Sequence, residues 1–135
     1  MPAEPHDDDV FRGLMAVSTT WPALDLAVAE VRGEIDAATS SQLEKDLTAA
    51  MDLLPRRVLV DLAEVTFFSS RAMTVLLRLQ ARCADSEVDV VFVVTPALRR
   101  LLGLVGLQEM FTLLDSRDEA LAHLTPRAGD DDGQS

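Results

Sequence analysis

At 135 residues, 48% of them hydrophobic, the chain has the size of one ordinary domain with one core. A formal charge of -11 repels phosphates and argues against nucleic acid as a direct partner. The single cysteine, Cys83, excludes an internal disulfide and a thiolate metal cluster, and no stretch approaches the roughly 20 apolar residues that span a bilayer. The first residues carry Glu4, Asp7, Asp8 and Asp9 where a secretory signal needs a basic start, so the expected location is cytoplasmic. Acidic runs at Asp7–Asp9 and Asp130–Asp132, set among Pro, Gly and Ser, predict disordered tails over 1–9 and 126–135 around a domain of residues 10–125.

In chain order, the apolar segment Phe11–Val17 reads as an edge strand. Ala23–Val31 alternates as a second strand that ends near Gly33 and pairs with the first as a hairpin. From Ala37 to Leu54 the residues Leu43, Leu47, Ala50 and Leu54 recur at helical spacing, with Asp36 before them as a cap and Pro55 as a stop. Arg57–Leu62 holds the β-branched run of a strand buried on both faces, and Ala63–Phe68 reads as the turn after it. Ser69 or Ser70 caps a helix to about Asp85, with an apolar stripe through Met73, Leu76 and Leu77 to Gln80 at its edge.

Val88–Val94 is the most continuous strand signal. Pro96 opens a helix through Leu98, Leu101 and Leu102 that stops near Gly103 or Gly106. A last strand, Phe111–Leu114, precedes a helix over Glu119–Leu124 capped by Ser116 or Asp118 and ended by Pro126. The order β-β-α-β-α-β-α-β-α predicts an α/β fold: a mostly parallel mixed β-sheet with a leading hairpin and about four α-helices.

Enzyme chemistry finds little support. His6 lies in a tail and His123 in the last helix, neither with an evident nucleophile, and Asp25, Asp36, Asp61 and Asp115 are scattered without the spacing of a metal loop. No glycine-rich run cradles a phosphate. The expectation is no catalysis, no cofactor and no metal.

Three ordered segments resemble the STAS domain of bacterial anti-sigma factor antagonists. Val31–Leu43 (VRGEIDAATSSQL) is similar to the family's strand-end GELD signature and first helix. Val58–Leu77 (VLVDLAEVTFFSSRAMTVLL) resembles its strand, Asp-Leu, apolar turn, Asp-Ser-Ser-Gly and helix, and Val90–Leu107 its later strand and helix. The resemblance covers about residues 11–124. It implies a STAS-like fold and a partner switch, in which an antagonist binds an anti-sigma factor that is also a serine kinase and is released by phosphorylation at the second helix.

Matched in register, Asp-Ser-Ser-Gly falls on Ser69, Ser70, Arg71 and Ala72, making Ser70 the implied phosphoacceptor and Ser69 the acceptor if the register slips by one. The acid and glycine are absent, and Arg71 adds a cation that can pair with a phosphate or an acidic partner. Helix capping alone is the competing use of both serines. Of the adjacent Phe67 and Phe68, side-chain alternation sends one into the core and leaves the other near the surface as an interface anchor, with burial of both as the competing and more usual outcome; Phe68 is assigned to the contact. Asp36 and Thr39 fall where the family touches its partner, and both also suit a helix cap. The implied partner surface is therefore Asp36, Thr39, Phe68, Ser69, Ser70 and Arg71.

The implied partner is an anti-sigma factor, with no direct nucleic acid and no membrane. The chain is expected as a monomer or weak dimer, since the first strand leaves a sheet edge that another copy can pair with. Two alternatives stand beside this: a STAS interaction module of a signalling scaffold or transport complex without serine phosphorylation, and a nucleotide or small-molecule sensor at the same helix start.

Overall fold

A computed structural model describes residues 15–125. The two expected tails, and Phe11–Leu14 of the expected first strand, lie outside the described residues. The elements run β1 (Ala16–Ala23), β2 (Leu26–Ile35), α1 (Ser40–Met51), β3 (Arg57–Phe68), α2 (Ser70–Asp85), β4 (Asp89–Val93) and α3 (Pro96–Leu104). A short 3-10 turn (Gln108–Met110), β5 (Leu113–Leu114) and α4 (Arg117–Leu124) follow. The sheet order is β1-β2-β3-β4-β5, with β1 antiparallel to β2 and the remaining pairs parallel. The expected mixed sheet with a leading hairpin and four helices is therefore the observed fold. Among the described residues no helix is long and apolar enough to cross a membrane.

Strand alternation builds two cores. Val58, Val60 and Leu62 of β3 join Ala29, Val31, Val90 and Phe92 on one face, against Leu43 and Leu47 of α1, Leu76 and Leu79 of α2 and Leu102 of α3. Leu59, Val28, Val91 and Val93 point the other way and are covered by Ala120 and Leu124 of α4. Because both faces are covered, β3 and β4 read as continuous apolar runs rather than alternating ones. Phe92 and Phe111 meet edge to face with ring centroids 5.1 Å apart.

Several boundaries differ from the sequence reading. The first strand is Ala16–Ala23, paired from Ala16↔Arg32 to Ala23↔Leu26, because the turn at Leu24–Asp25 sets the hairpin register and carries the strand past Val17. As an edge strand exposed over most of its length it needs few apolar residues, so Ser18, Thr19 and Thr20 escaped an apolar criterion. β3 does not turn at Ala63 but continues to Phe68, held by β2 through Gly33↔Val65, Glu34↔Phe67 and Ile35↔Phe68. Two irregularities, between Glu30 and Arg32 and between Gly33 and Glu34, accompany this stretch. Gly33 takes φ 98 there, a conformation that a side chain would strain. The first helix spans Ser40–Met51, and Leu54 leaves its face altogether, 81% exposed with φ 59.

Candidate functional site: the carboxyl end of the sheet

Parallel strands collect their carboxyl ends, and the starts of the helices that follow, at one end of the molecule. Here β2 leads into α1 through Asp36–Thr39, β3 into α2 through Ser69–Ser70, and β4 into α3 through Thr95–Pro96. The Ser69 amide donates to the Ile35 carbonyl at 2.8 Å, tying the ends of β3 and β2 together. Asp36, Thr39, Ser69, Ser70 and Arg71, separated by up to 35 positions in the chain, therefore stand at the same end of the sheet.

Each turn is locked by a local side-chain bond. Asp36 Oδ1 accepts from the Thr39 amide at 2.8 Å, while Thr39 Oγ1 accepts from the Asp36 amide at 2.9 Å. The Thr39 hydroxyl proton lies within reach of the Glu34 carbonyl at 2.9 Å and of Asp36 Oδ1 at 3.0 Å. The Thr39 amide, then its hydroxyl, hold the Asp36 carboxyl below its ordinary range. The reciprocal bonds close the turn before α1; Thr39, the residue just before the helix, makes no side-chain bond to a helix amide, so the two side chains hold the turn rather than cap the helix.

The two serines are separated by function. Ser69 is the N-cap of α2, extended at φ -82 and ψ 169, and its Oγ accepts from the Ala72 amide at 3.2 Å. Ser70 is the first helical residue and exposed, as is Arg71. The backbone thus assigns the cap to Ser69 and leaves the Ser70 side chain at the surface.

Phe67 and Phe68 exchange the roles expected of them. Phe68 is buried among the core residues at 8% exposure, beneath the helices, and does not offer a contact surface; Phe67 is 53% exposed. The reason is parity: with Ile35↔Phe68 paired and Ile35 fully buried, Phe68 follows its neighbour inward and Phe67 points away. Phe67 lines an apolar groove with Val65, Ala97, Leu98 and Leu101, between the end of β3 and the start of α3. The sequence reading passed over this second wall. Its visible signal was Thr95-Pro96, where Thr95 Oγ1 caps the Leu98 amide at 3.1 Å and Pro96 takes the first helical position.

Elsewhere the titratable groups are structural. Burial pushes the Cys83 thiol up to about 11, and its Sγ lies 3.9 Å from Met51 Sδ in the core, so it is no nucleophile near neutral pH. Arg117 donates to Asp61 Oδ2 at 3.0 and 2.8 Å. Among the described residues no three His, Cys, Asp or Glu side chains gather as a metal site.

This architecture, a mixed five-stranded sheet with serines at the start of the helix after β3, is that of a STAS domain, and the STAS family profile matches residues 23–120. The chain belongs to the STAS family. Relatives include BtrV of Bordetella bronchiseptica, described as a candidate anti-sigma factor antagonist, at 28% identity over 72% of this chain and 84% of its own. RsfB of Mycobacterium tuberculosis, an anti-sigma-F factor antagonist, is 28% identical over 71% of this chain and 79% of its own. The crystal structure of an anti-sigma factor antagonist from Mycobacterium paratuberculosis superposes with a TM-score of 0.69 at 28% identity, covering 82% of this chain and 93% of that one.

Proposed function

We propose that this chain is an anti-sigma factor antagonist: a single STAS domain over residues 10–125 that binds a kinase-like anti-sigma factor in the cytoplasm and is released by phosphorylation of Ser70. The observation that carries this reading is the division between the serines, with Ser69 spent on the cap and Ser70 exposed on the first turn of α2. The Mycobacterium tuberculosis and Bordetella relatives supply the partner class. The protein does no chemistry itself. It acts as a monomer or weak dimer, without direct contact to nucleic acid or membrane.

A phosphoryl group on Ser70 adds about -1.5 to -2 charges at the positive end of α2, where the fold tolerates an anion and Arg71 adds a cation. The same charge beside the apolar Phe67 groove opposes a closely packed interface by desolvation and clash. Phosphorylation therefore ends binding without unfolding the domain. Phe67, rather than Phe68, is the aromatic anchor in this reading, together with Asp36, Thr39, Ser69, Ser70 and Arg71.

The test uses the purified anti-sigma partner and ATP, with mass mapping and titration calorimetry. Phosphate is expected on Ser70 and not Ser69. Ser70→Asp should lose at least tenfold in affinity, Ser70→Ala should bind constitutively, and Phe67→Ala should lose about 30-fold with an unchanged melting temperature. Full affinity in Ser70→Asp, with both serines bare, would instead select an interaction module without phosphorylation. That second reading is favoured by the serine at position 69, where the family pattern has an acid.

A further inference from the structure

We propose that Arg71 and Arg100 decide which anti-sigma factor this surface accepts, by meeting carboxylates on the partner's face; the inference rests on the reading above and adds the chemistry of that face. Arg71 is the second residue of α2, beside Ser70, and Arg100 lies between Ala97 and Leu101 of α3, which wall the Phe67 groove. Both side chains are exposed. The remaining arginines of the two helices are matched inside the chain: Arg78 to Glu44 at 3.0 Å, Arg82 to Asp52 at 3.0 Å and Arg99 to Asp115 at 2.8 Å. Arg71 falls on the same stripe of α2 as Arg78 and Arg82, since seven and eleven residues make about two and three turns. Yet α1 carries no acid in its first turn to receive it. Neither Arg71 nor Arg100 makes an ion pair among the described residues.

The placement of charge at this end runs against what the helices alone favour. Helix starts attract acids, and a cation in the first turn is unfavourable. The chain has 23 acidic residues for 12 basic ones, yet the first turns of α1, α2 and α3 hold no acid, whereas α4, on the other face of the sheet, begins with Asp118 and Glu119 after Arg117. An acid-rich chain has left its partner-facing helix starts free of acid and set Arg71 on one of them. Exposed arginines with no internal partner, beside an apolar anchor, are rim charges of the kind that choose among partners by attraction and repulsion.

The acids near the site do not cancel these cations. Asp36 is held by Thr39 and Asp115 by Arg99, and Glu64 stands next to Arg32 in the β2–β3 ladder. Glu34 is exposed and opposite Phe67 in that ladder, so it borders the patch on the β2 side and directs partner carboxylates toward the helices. A phosphate on Ser70 is a second anion for Arg71, but it gives Arg100, on another helix, no role. Once formed, that phosphate competes with the partner's carboxylate for Arg71, which adds to the release.

Calorimetry of the full chain against the purified anti-sigma factor, with ADP in place of ATP so that Ser70 stays unphosphorylated, tests this. Arg71→Glu and Arg100→Glu should each weaken binding at least ~tenfold, and Arg71→Lys by less than ~threefold. The gap between wild type and Arg71→Glu should narrow as NaCl rises from about 0.05 to about 0.5 M. Lysine in place of one exposed acid of the partner should restore the affinity of Arg71→Glu. Melting temperatures should hold, with Arg71→Glu at or above wild type because it puts an acid on a helix start. A lower melting temperature in the arginine variants would give these residues a structural role and overturn the proposal, as would wild-type affinity in both Glu variants or the lack of any partner acid whose replacement rescues. Phe67→Ala separates this inference from the reading beneath it: if that variant weakens binding while the Glu variants do not, the partner assignment stands and the charge inference is lost, whereas a wild type that binds no anti-sigma factor removes both.

Discussion

Neighbouring serines with the same side chain do different work because one backbone torsion separates them. Ser69 sits in extended conformation just before α2, where its hydroxyl can turn back to the Ala72 amide; Ser70 is already helical and its side chain leaves the axis. Removing the Ser69 hydroxyl leaves a helix-start amide without its protein partner, so Ser69→Ala should cost about 1 kcal/mol of stability. Ser70→Ala should stay within about 0.5 kcal/mol of wild type, as surface substitutions do. Urea denaturation of the two variants measures the difference, and equal losses would contradict the assignment of the cap to Ser69. The same single-residue parity decides that Phe68 is core and Phe67 surface.

At the scale of elements, α4 is the one helix among the described residues that covers the second face of the sheet, and cations tie both of its ends to β3: Arg57 holds the Leu124 carbonyl and Arg117 reaches Asp61. Arg117 occupies the first turn of α4, where the helix dipole disfavours positive charge. It is held there by Asp61, itself 7% exposed, and by Glu30 at 3.4 Å. Asp61 Oδ1 also accepts from the Ala63 amide at 3.0 Å. Asp61→Ala removes all three bonds and loosens the helix that shields Leu59 and Val91. Arg117 keeps solvent and Glu30, which moderates the loss to roughly 1–3 kcal/mol. Hydrogen exchange should show α4 opening before α1 and α2; uniform protection across the four helices would refute the idea that α4 is the separately opening element.

Across the whole molecule, 23 acidic residues against 12 basic ones make the acid limb of stability informative. Asp36 is held below its ordinary pKa of 3.8 by Thr39, so the folded chain binds its proton later than the unfolded chain does. Its contribution is present above the unfolded value and is lost as pH falls through the lower folded value. Asp36→Asn mimics the protonated state. Thermal melts from pH 6 downward should therefore find the wild type more stable than Asp36→Asn above about pH 4, with the gap closing at lower pH. A gap independent of pH would mean that the Thr39 bonds do not favour the carboxylate.

What the sequence by itself determined was the kind and order of the elements, the leading hairpin and the parallel remainder, and the place of Ser69 and Ser70 at the start of the helix after β3. These follow from periodicity, caps and chain order, which are local or topological and survive errors of one or two residues at the boundaries. The tertiary structure decided whatever depends on register between distant segments. β3 continues through Ala63–Phe68 because β2 pairs with it there; Ala63, Val65 and Phe67 do alternate with Glu64 and Thr66, but these apolar positions stay exposed or half-exposed and only the pairing with β2 makes the stretch a strand rather than a turn. The inward turn of Phe68 follows from its pairing with buried Ile35, after two irregularities in the β2–β3 ladder that no local pattern records. Phe67 shares a groove with Ala97 and Leu101, thirty residues and more away, only because β4 lies next to β3; Leu24 and Leu54 share an end of the molecule because the Asp25 carbonyl holds the strand that follows. A one-residue shift of register reverses the face of every side chain in a strand, so these features are properties of the assembled sheet rather than of any segment in it.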